Sequence, residues 1–531
     1  MGDKRKLKLK KFFFHPATVL LLLTLLVMAL SAILSALEMQ GTYNIANTKT
    51  KELEQTLISV ENMMSFDGMK YIFSNATKNF ISFAPLGTLL ISLIGLTIAE
   101  ATGLIEAFSN KYIKKMPKYF LTFLIVFLAT ISSLINEVGY AILIPLAALV
   151  YFINNKNPIL GIITAFCGVS FGYGVSIFVG TMEVDLIEYT RSSALLIDSN
   201  AHVPLTGNLV FIIVASLVLS IVGTIIIEKI IAPKVGKYKK DDDLARTEQY
   251  SVIEPIVDEQ EKIEKEKVEK RGLKYALITA ITVFSLFVYM LIPNLPYSGM
   301  LLDMNEITYA NQLFGPNSYF QDGFTFLLSM FFFVTGLAYG FGARTIKNDK
   351  ALIEKTSNGF SKLGSLFFIM FMASQFIAIF KKTNIGLIIA SWFSTLLSYL
   401  DFSGIPLIVA TIILIGVSNF VLTGSATKWM VFAPVVVPMF MQSNISPAFA
   451  QIVMRAGDSI TKGYTPLLAS FVIYIGYLNI YNLNKDKPYT IRRSLKLITP
   501  YFIIISLTWI LLIVGWYIIG LPIGPKVYPT I

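Results

Sequence analysis

The sequence predicts an all-α polytopic membrane protein with about nine transmembrane helices and two oppositely oriented re-entrant hairpins arranged as an inverted repeat. Apolar residues make up 55% of the 531 positions and charged residues only 15%, which leaves too few charges to cover a soluble surface. Apolar runs of about twenty residues, enough to cross roughly 30 Å of hydrocarbon, recur along the chain. Two longer apolar stretches are interrupted by polar residues, and these two stretches resemble each other.

The same composition argues against several other classes of protein. A lone cysteine, Cys167, excludes a disulfide framework, and only His15 and His202 are available for histidine-based metal chemistry. No phosphate-binding loop or hydrolase signature occurs, so we expect neither direct ATP drive, nor an enzyme, nor an organic cofactor. The net charge is +11, and the basic residues responsible for it lie mainly in short loops between apolar runs, where they set membrane orientation. No nucleic-acid partner is therefore expected.

The chain begins with a basic segment, 1–16, which we expect to be cytoplasmic. The apolar run from Ala17 to Leu37 is too long for a signal peptide and predicts a retained first span. Eight further full-length runs complete a count of nine crossings: 80–101, 159–180, 207–227, 274–293, 323–342, 360–380, 462–482 and 500–520.

These runs divide the chain into two transmembrane halves, 17–227 and 274–531, joined by a charged cytoplasmic loop, 228–273. Most Lys and Arg residues fall in the segments that this count places inside, which supports a multi-pass protein of a prokaryotic plasma membrane with its N-terminus in the cytoplasm. Lys381 and Lys382 are exceptions, because the count places them outside.

The two interrupted stretches predict re-entrant hairpins at about 119–153 and 403–441. Their polar interruptions are S-S-L-I-N-E-V-G-Y at 132–140 and S-N-F-V-L-T-G-S-A-T-K-W at 418–429. Backbone groups at such a tip are tolerated at membrane depth only where protein or a water-filled cavity surrounds them. We therefore expect both tips to line a cavity.

A shift of 289 positions aligns the two interrupted regions. An odd number of predicted crossings separates the hairpins, so the repeats are expected to be upside down relative to each other. Inverted repeats with discontinuous helices are typical of secondary transporters that work by alternating access. The matched pairs are Tyr140 with Trp429, Pro145 with Pro434, Pro158 with Pro447, Gly168 with Gly457, Ser170 with Ser459, and Gly174 with Gly463.

Polar residues at the two tips and beyond the second are the candidate site. Asp458 is a carboxylate within an apolar region, which marks it as functional, although it could instead cap the span that begins there. Asn419 and Asp458 together form a candidate Na⁺ site of oxygen ligands, and Glu183 and Asp185 are expected to be solvated. The predicted substrate-binding residues are Asn136, Glu137, Tyr140, Ser425, Thr427, Lys428, Trp429 and Lys462; the predicted ion-coupling residues are Asn419, Asp458, Ser459 and Thr461.

Four segments resemble the AbgT family of aminobenzoyl-glutamate transporters, and the similarity extends from about residue 80 to 520. They are G-Y-A-I-L-I-P-L-A-A-L-V at 139–150, N-P-I-L-G-I at 157–162, G-S-A-T-K-W-M-V-F-A-P-V-V-V-P-M-F at 424–440 and G-D-S-I-T-K-G-Y-T-P-L at 457–467. The resemblance implies a homodimer that carries p-aminobenzoyl-glutamate on a Na⁺ or H⁺ gradient. It also implies that Trp429 and Pro466 are motif residues, and Pro466 joins the substrate-binding candidates.

Two positions depart from the family pattern: Glu137 stands where Asp is typical, and Lys462 where Asn is usual. One hypothesis is that the Lys462 ammonium replaces a coupling cation beside Asp458; the other is that it binds a substrate carboxylate. Arg455 could likewise bind a carboxylate, pair with Asp458, or contact a lipid headgroup. The alternative functions are a proton-driven exporter of sulfonamide-type antimetabolites, a di- or tricarboxylate carrier, an ion channel and, most distant, a membrane enzyme.

Overall fold

The computed structural model of the chain describes residues 14–46, 53–135, 137–238, 259–361, 363–484 and 487–531. It is mostly helical, which confirms the predicted fold class. The elements are α1 (Pro16–Ala36), β1 (Gln40–Ala46), β2 (Leu53–Ser59), α2 (Phe66–Ile81), α3 (Ala84–Ala101), α4 (Leu104–Lys111), α5 (Lys118–Ile131), α6 (Val138–Ile153), α7 (Pro158–Phe171), α8 (Thr181–Ala194), α9 (Leu209–Ile226), α10 (Ala232–Val235), α11 (Glu259–Met290), α12 (Tyr309–Phe314), α13 (Tyr319–Gly342), α14 (Asp349–Ser361), α15 (Gly364–Lys382), α16 (Ile385–Tyr399), α17 (Gly404–Ser418), α18 (Ser425–Gln442), α19 (Pro447–Lys462), α20 (Phe471–Ile480) and α21 (Ile491–Ile519).

Within the described residues, eight helical segments are long and apolar enough to cross a membrane. Most of the predicted spans fall on these segments. The structure differs at the predicted spans 159–180 and 462–482, where α7 has 14 residues and α20 has 10. A window that averages hydropathy over about twenty residues does not detect a backbone that leaves the helix while its side chains stay apolar.

The non-helical backbone after α7 is paired with side chains from other elements. Ser459 Oγ accepts a hydrogen bond from the Gly174 N–H at 2.8 Å, and Arg455 Nε donates to the Gly174 carbonyl at 2.7 Å. A Cβ at Gly174 would lie 2.6 Å from Ser459 Oγ, so glycine is required for this approach. Polar partners therefore compensate for the missing helical hydrogen bonds in a buried position.

The repeat found in the sequence is also a repeat of elements. Each half has two helices joined by a polar tip, then a short link, a third helix, a non-helical segment and a fourth helix. Under the shift of 289 positions, α5 to α8 begin within three residues of α17 to α20. The third helices begin at Pro158 and Pro447, and the preceding Asn157 and Ser446 cap them with side-chain acceptors. The re-entrant course of the hairpins and their opposite orientation stay predictions.

Several elements lie in segments for which the sequence predicted no helix or strand. The strands β1 and β2 form an antiparallel pair in the polar stretch 38–79, and α16 is a short apolar helix before the second hairpin. The predicted spans 159–180 and 207–227 leave 181–206 between them as an outside loop, but α8 is a largely buried helix that packs on α18. Polar side chains such as Glu183 and Thr190 contact other helices, which hydropathy does not register.

The helix α19 occupies the centre of the fold. Every residue from Ala448 to Lys462 is buried, including all the charged ones. It packs on α17 and α18 from its own half and on α7 and α8 from the other half. The predicted ion-coupling residues of α19 therefore lie where the two halves meet.

Candidate functional site

Asp458 is fully buried near the C-terminal end of α19 and binds three side chains. Ser425 Oγ donates a hydrogen bond to Asp458 Oδ2 at 2.5 Å. The Lys428 ammonium pairs with Asp458 Oδ1, and the Lys462 ammonium lies 3.8 Å from Oδ2. The suggestion that Asp458 caps a helix N-terminus is wrong, because α19 ends four residues after it.

Asn419 ties the second hairpin to α19. Its amide donates to the Asp458 carbonyl at 2.7 Å and to Thr461 Oγ1 at 2.8 Å, while its side-chain oxygen accepts from Lys428. Thr461 Oγ1 donates in turn to the Gly416 carbonyl at 2.6 Å. These bonds fix the end of α17 against the end of α19, so the tip and Asp458 form one unit.

Two charges of this unit lie at helix ends that disfavour them. Asp458 lies four residues before the C-terminal end of α19, where the partial charge is negative, and Lys428 is in the first turn of α18, where it is positive. Each placement costs about 0.3–1 kcal/mol in an exposed helix. Pairing the two side chains compensates both, and local preferences overridden in this way are typical of functional sites.

Lys462 adds a second cation to a single carboxylate. Its Nζ lies 3.5 Å from the centroid of the Tyr173 ring, in the non-helical segment after α7, which is cation–π geometry. The separation of 3.8 Å from Asp458 exceeds hydrogen-bond distance. With Lys428 and Lys462 beside Asp458, the cluster carries an excess positive charge and is suited to receive an anionic group.

A second buried ion pair links the halves beside this cluster. Arg455 Nη1 lies 2.5 Å from Glu183 Oε1, and the other Glu183 oxygen accepts from the Gly180 N–H at 2.7 Å. The expectation that Glu183 is solvated is wrong, because only 4% of the residue is exposed. Its partner lies in the other half of the chain, so spacing in the sequence does not reveal it. Arg455 therefore pairs with Glu183 rather than with Asp458.

The matched aromatic residues Tyr140 and Trp429 are both fully buried. Tyr140 Oη donates to Ser170 Oγ at 3.1 Å, and Trp429 Nε1 donates to Thr190 Oγ1 at 2.8 Å. Both acceptors belong to the first half. The rings therefore pack each hairpin against α7 and α8.

The remaining predicted residues lie around these contacts. Glu137 Oε2 accepts from Ser470 Oγ at 2.6 Å, so the first tip contacts the start of α20. Thr427 lines a separate cavity, and Pro466 lies in the segment before α20. Asn136 lies outside the described residues.

The structure thus brings Asn419, Ser425, Lys428, Asp458, Thr461 and Lys462 into one cluster, which we call the Asp458 cluster. Ser459 faces the non-helical segment after α7 instead. Sequence reasoning did not select four partner residues. Tyr173 and Ser470 are polar or aromatic residues in largely apolar or small-residue stretches, which is a signal that could have indicated them, whereas the charged segment around Glu183 and Thr190 gives no such signal.

A family model described as "AbgT putative transporter family" matches residues 8–531. The chain belongs to the AbgT transporter family. This confirms the resemblance inferred from the hairpin motifs. It also extends the match toward both ends of the chain.

Relatives of this AbgT-family chain include the p-aminobenzoyl-glutamate transport protein of Escherichia coli (strain K12). The two are 29% identical over 518 residues, which cover 97% of this chain and 94% of that protein. The solved structure of the Alcanivorax borkumensis YdaH transporter is 28% identical, covers 96% of this chain and 100% of that chain, and has a TM-score of 0.46. The structure of Neisseria gonorrhoeae MtrF, described as illuminating "a class of antimetabolite efflux pumps", is 28% identical, covers 97% and 98%, and has a TM-score of 0.48.

Proposed function

We propose that this chain moves p-aminobenzoyl-glutamate, or a similar aromatic dipeptide or carboxylate, across the plasma membrane by ion-coupled alternating access. The observation that carries this proposal is the buried Asp458 cluster, which holds two ammonium groups against one carboxylate where the halves meet. The similarity to the E. coli transport protein supports the substrate. In this proposal the protein works as a homodimer with its N-terminus in the cytoplasm.

Lys462 is the group of the cluster best placed to bind a substrate carboxylate. Lys428 contacts both Asn419 and Asp458, whereas Lys462 contacts Asp458 only at 3.8 Å and otherwise faces the Tyr173 ring. A carboxylate that approaches Lys462 would gain a charge-assisted hydrogen bond without displacing one. The Tyr173 ring beside it offers a surface for the aromatic part of the substrate.

Contacts between the halves supply the proposed moving interface. Ser459 and Arg455 on α19 hold the backbone of Gly174, and Arg455 also holds Glu183. Alternating access requires one repeat to move against the other around the substrate. These contacts are the ones expected to rearrange in such a movement.

Flux into proteoliposomes tests the proposed function. The purified protein is reconstituted and given imposed Na⁺ or proton gradients with p-aminobenzoyl-glutamate, citrate or a sulfonamide as substrate. Saturable, gradient-driven flux of p-aminobenzoyl-glutamate is the expected result. Citrate flux without it would favour a di- or tricarboxylate carrier, and sulfonamide flux without it an antimetabolite exporter. Current that neither saturates nor couples to a gradient would indicate a channel.

The identity of the coupling ion depends on which cation accompanies Asp458. The side-chain oxygens of Asn419 and Asp458, the candidate Na⁺ ligands, both contact the Lys428 ammonium. A sodium ion does not fit between the same two oxygens while that ammonium is there. We therefore propose that Lys428 is the resident cation of this site and that transport is driven by protons.

The variant Lys462→Asn distinguishes this proposal from the hypothesis that Lys462 replaces a coupling cation. Because Lys428 remains in place, we expect the variant to keep the Na⁺ response of the wild type. The measurement is initial flux in Na⁺ and in choline at fixed pH and membrane potential. A Na⁺ requirement that appears only in Lys462→Asn would show instead that Lys462 is the substituting cation.

A further inference from the structure

A cavity of about 260 Å³ lies beside the second hairpin tip, on α15 and α16. Its lining combines one aromatic ring, one ammonium group and several small polar groups. The rest of the lining is aliphatic side chains and glycine, and a mostly apolar lining with a few polar anchors is typical of a small-molecule site. The lining residues used below are Phe380, Lys381 and Asn384 from α15 and the turn after it, and Thr423, Gly424 and Thr427 from the hairpin.

Lys381 is an exposed side chain that makes no ion pair within the described residues. The adjacent Lys382 differs, because its Nζ lies 3.1 Å from Glu61 Oε2. Both are the basic residues that the charge bias fails to explain, since it places them outside. The ion pair with Glu61 explains why a lysine stands at position 382 despite the charge bias. The cavity offers an explanation for the lysine at position 381.

The cavity and the Asp458 cluster share the second hairpin tip. Gly424 and Thr427 line the cavity, while Ser425 and Lys428, their neighbours in sequence, bind Asp458. Neighbouring residues of the same tip therefore belong to the two sites. A movement of this tip would connect them.

The charge and size of the cavity indicate which part of a ligand it fits. Its volume is below the range of about 300–1,000 Å³ that encloses a whole drug-sized molecule. The ammonium of Lys381 favours an anion, the Thr423 and Thr427 hydroxyls are available as hydrogen-bond partners, and Phe380 provides an apolar wall. The ligand fragment that matches is a carboxylate next to a ring or a short aliphatic chain.

We propose that this cavity is an entry site that first binds one carboxylate-bearing arm of the transported anion, with Lys381 as its attracting charge. The inference rests on the proposed function. A fixed charge at a mouth raises the local concentration of an oppositely charged substrate, and this effect weakens with ionic strength. Lys381 thus attracts the substrate to the entry site, and the Asp458 cluster binds the substrate after the tip moves.

The competing explanation is that Lys381 only stabilises the C-terminal end of α15, where cations are favourable. Lys382 occupies the same last turn and does not line the cavity. It therefore controls for charge at this helix end. Because Lys382→Gln also breaks the pair with Glu61, a role at the helix end would give it at least as large an effect as Lys381→Gln.

The test compares KM and kcat for p-aminobenzoyl-glutamate in the wild type and in Lys381→Gln, Lys381→Arg and Lys382→Gln, at low and at high salt. An exposed ion pair contributes up to ~1 kcal/mol, which corresponds to about a fivefold change in affinity. We expect Lys381→Gln to raise KM about three- to fivefold at low salt with kcat unchanged, and to differ less from the wild type at high salt. Lys381→Arg and Lys382→Gln should keep the wild-type KM.

An unchanged KM in Lys381→Gln, an equal increase in Lys382→Gln, or a fall in kcat without a change in KM would each overturn the entry site. KM and kcat can be compared between variants only if the wild type shows saturable flux. Absence of that flux would instead overturn the proposed function, so the two failures are distinguishable.

Discussion

Replacing Asp458 by Asn is expected to abolish gradient-driven flux. The substitution leaves the fully buried Lys428 ammonium without a carboxylate, and a single side-chain oxygen then remains for two donors, the Lys428 ammonium and the Ser425 hydroxyl. Breaking a buried pair by removing one partner costs about 3–5 kcal/mol, because the other charge stays uncompensated in a dry interior. We therefore expect a lower melting temperature in detergent as well as loss of flux in proteoliposomes.

A double variant separates the loss of stability from the loss of function. Asp458→Asn combined with Lys428→Gln removes both charges, so the melting temperature is expected to recover while flux stays absent. Asp322→Asn is the control, because this carboxylate is exposed in the first turn of α13 and should be replaceable without effect. Wild-type flux in the double variant would contradict a transport role for the cluster.

Breaking the Arg455–Glu183 pair is expected to have the second largest effect. Arg455→Met leaves Glu183 buried without its cation and removes the hydrogen bond to the Gly174 carbonyl. We expect about 3–5 kcal/mol of destabilisation, measured as a lower denaturation midpoint, because the desolvated carboxylate has lost its partner. Glu183→Gln should destabilise for the converse reason.

A double-mutant cycle identifies the interaction. Since both single variants lose the same contact, Arg455→Met with Glu183→Gln should destabilise less than the two single effects added together. The exposed pair Lys70–Asp67, with 3.7 Å between the charged atoms, is the matched control. We expect Lys70→Met to change stability by less than ~1 kcal/mol. Strictly additive losses at Arg455 and Glu183 would show that the two side chains do not interact.

The candidate site was predictable where the evidence is local. Asp458 is a carboxylate in an apolar region, and Lys462 follows it at helical spacing on the same face of α19. The match of Tyr140 with Trp429 likewise follows from the repeat. Each of these inferences uses residues that are close in sequence or related by one fixed shift.

The partners of these residues were not predictable. Lys428 contacts Asp458 although they lie on different helices, and Arg455 contacts Glu183 from the other half of the chain. Hydropathy indicates how apolar an environment is, averaged over a window. It does not indicate which polar side chains meet in that environment, because packing of the helices decides this.

The sequence by itself determined the class of the protein, the duplicated pattern of interrupted apolar stretches and the small set of charges left in an apolar setting. Charged residues in apolar segments are few, because an ionised group in a membrane is costly wherever it lies, and the sequence therefore identifies them. Only the tertiary structure decided that Lys428 occupies the oxygens of the candidate Na⁺ site and that Lys462 stands beside Tyr173. The reason is that helix packing brings together side chains from separate segments, and the balance of charge at a point in space depends on all of them.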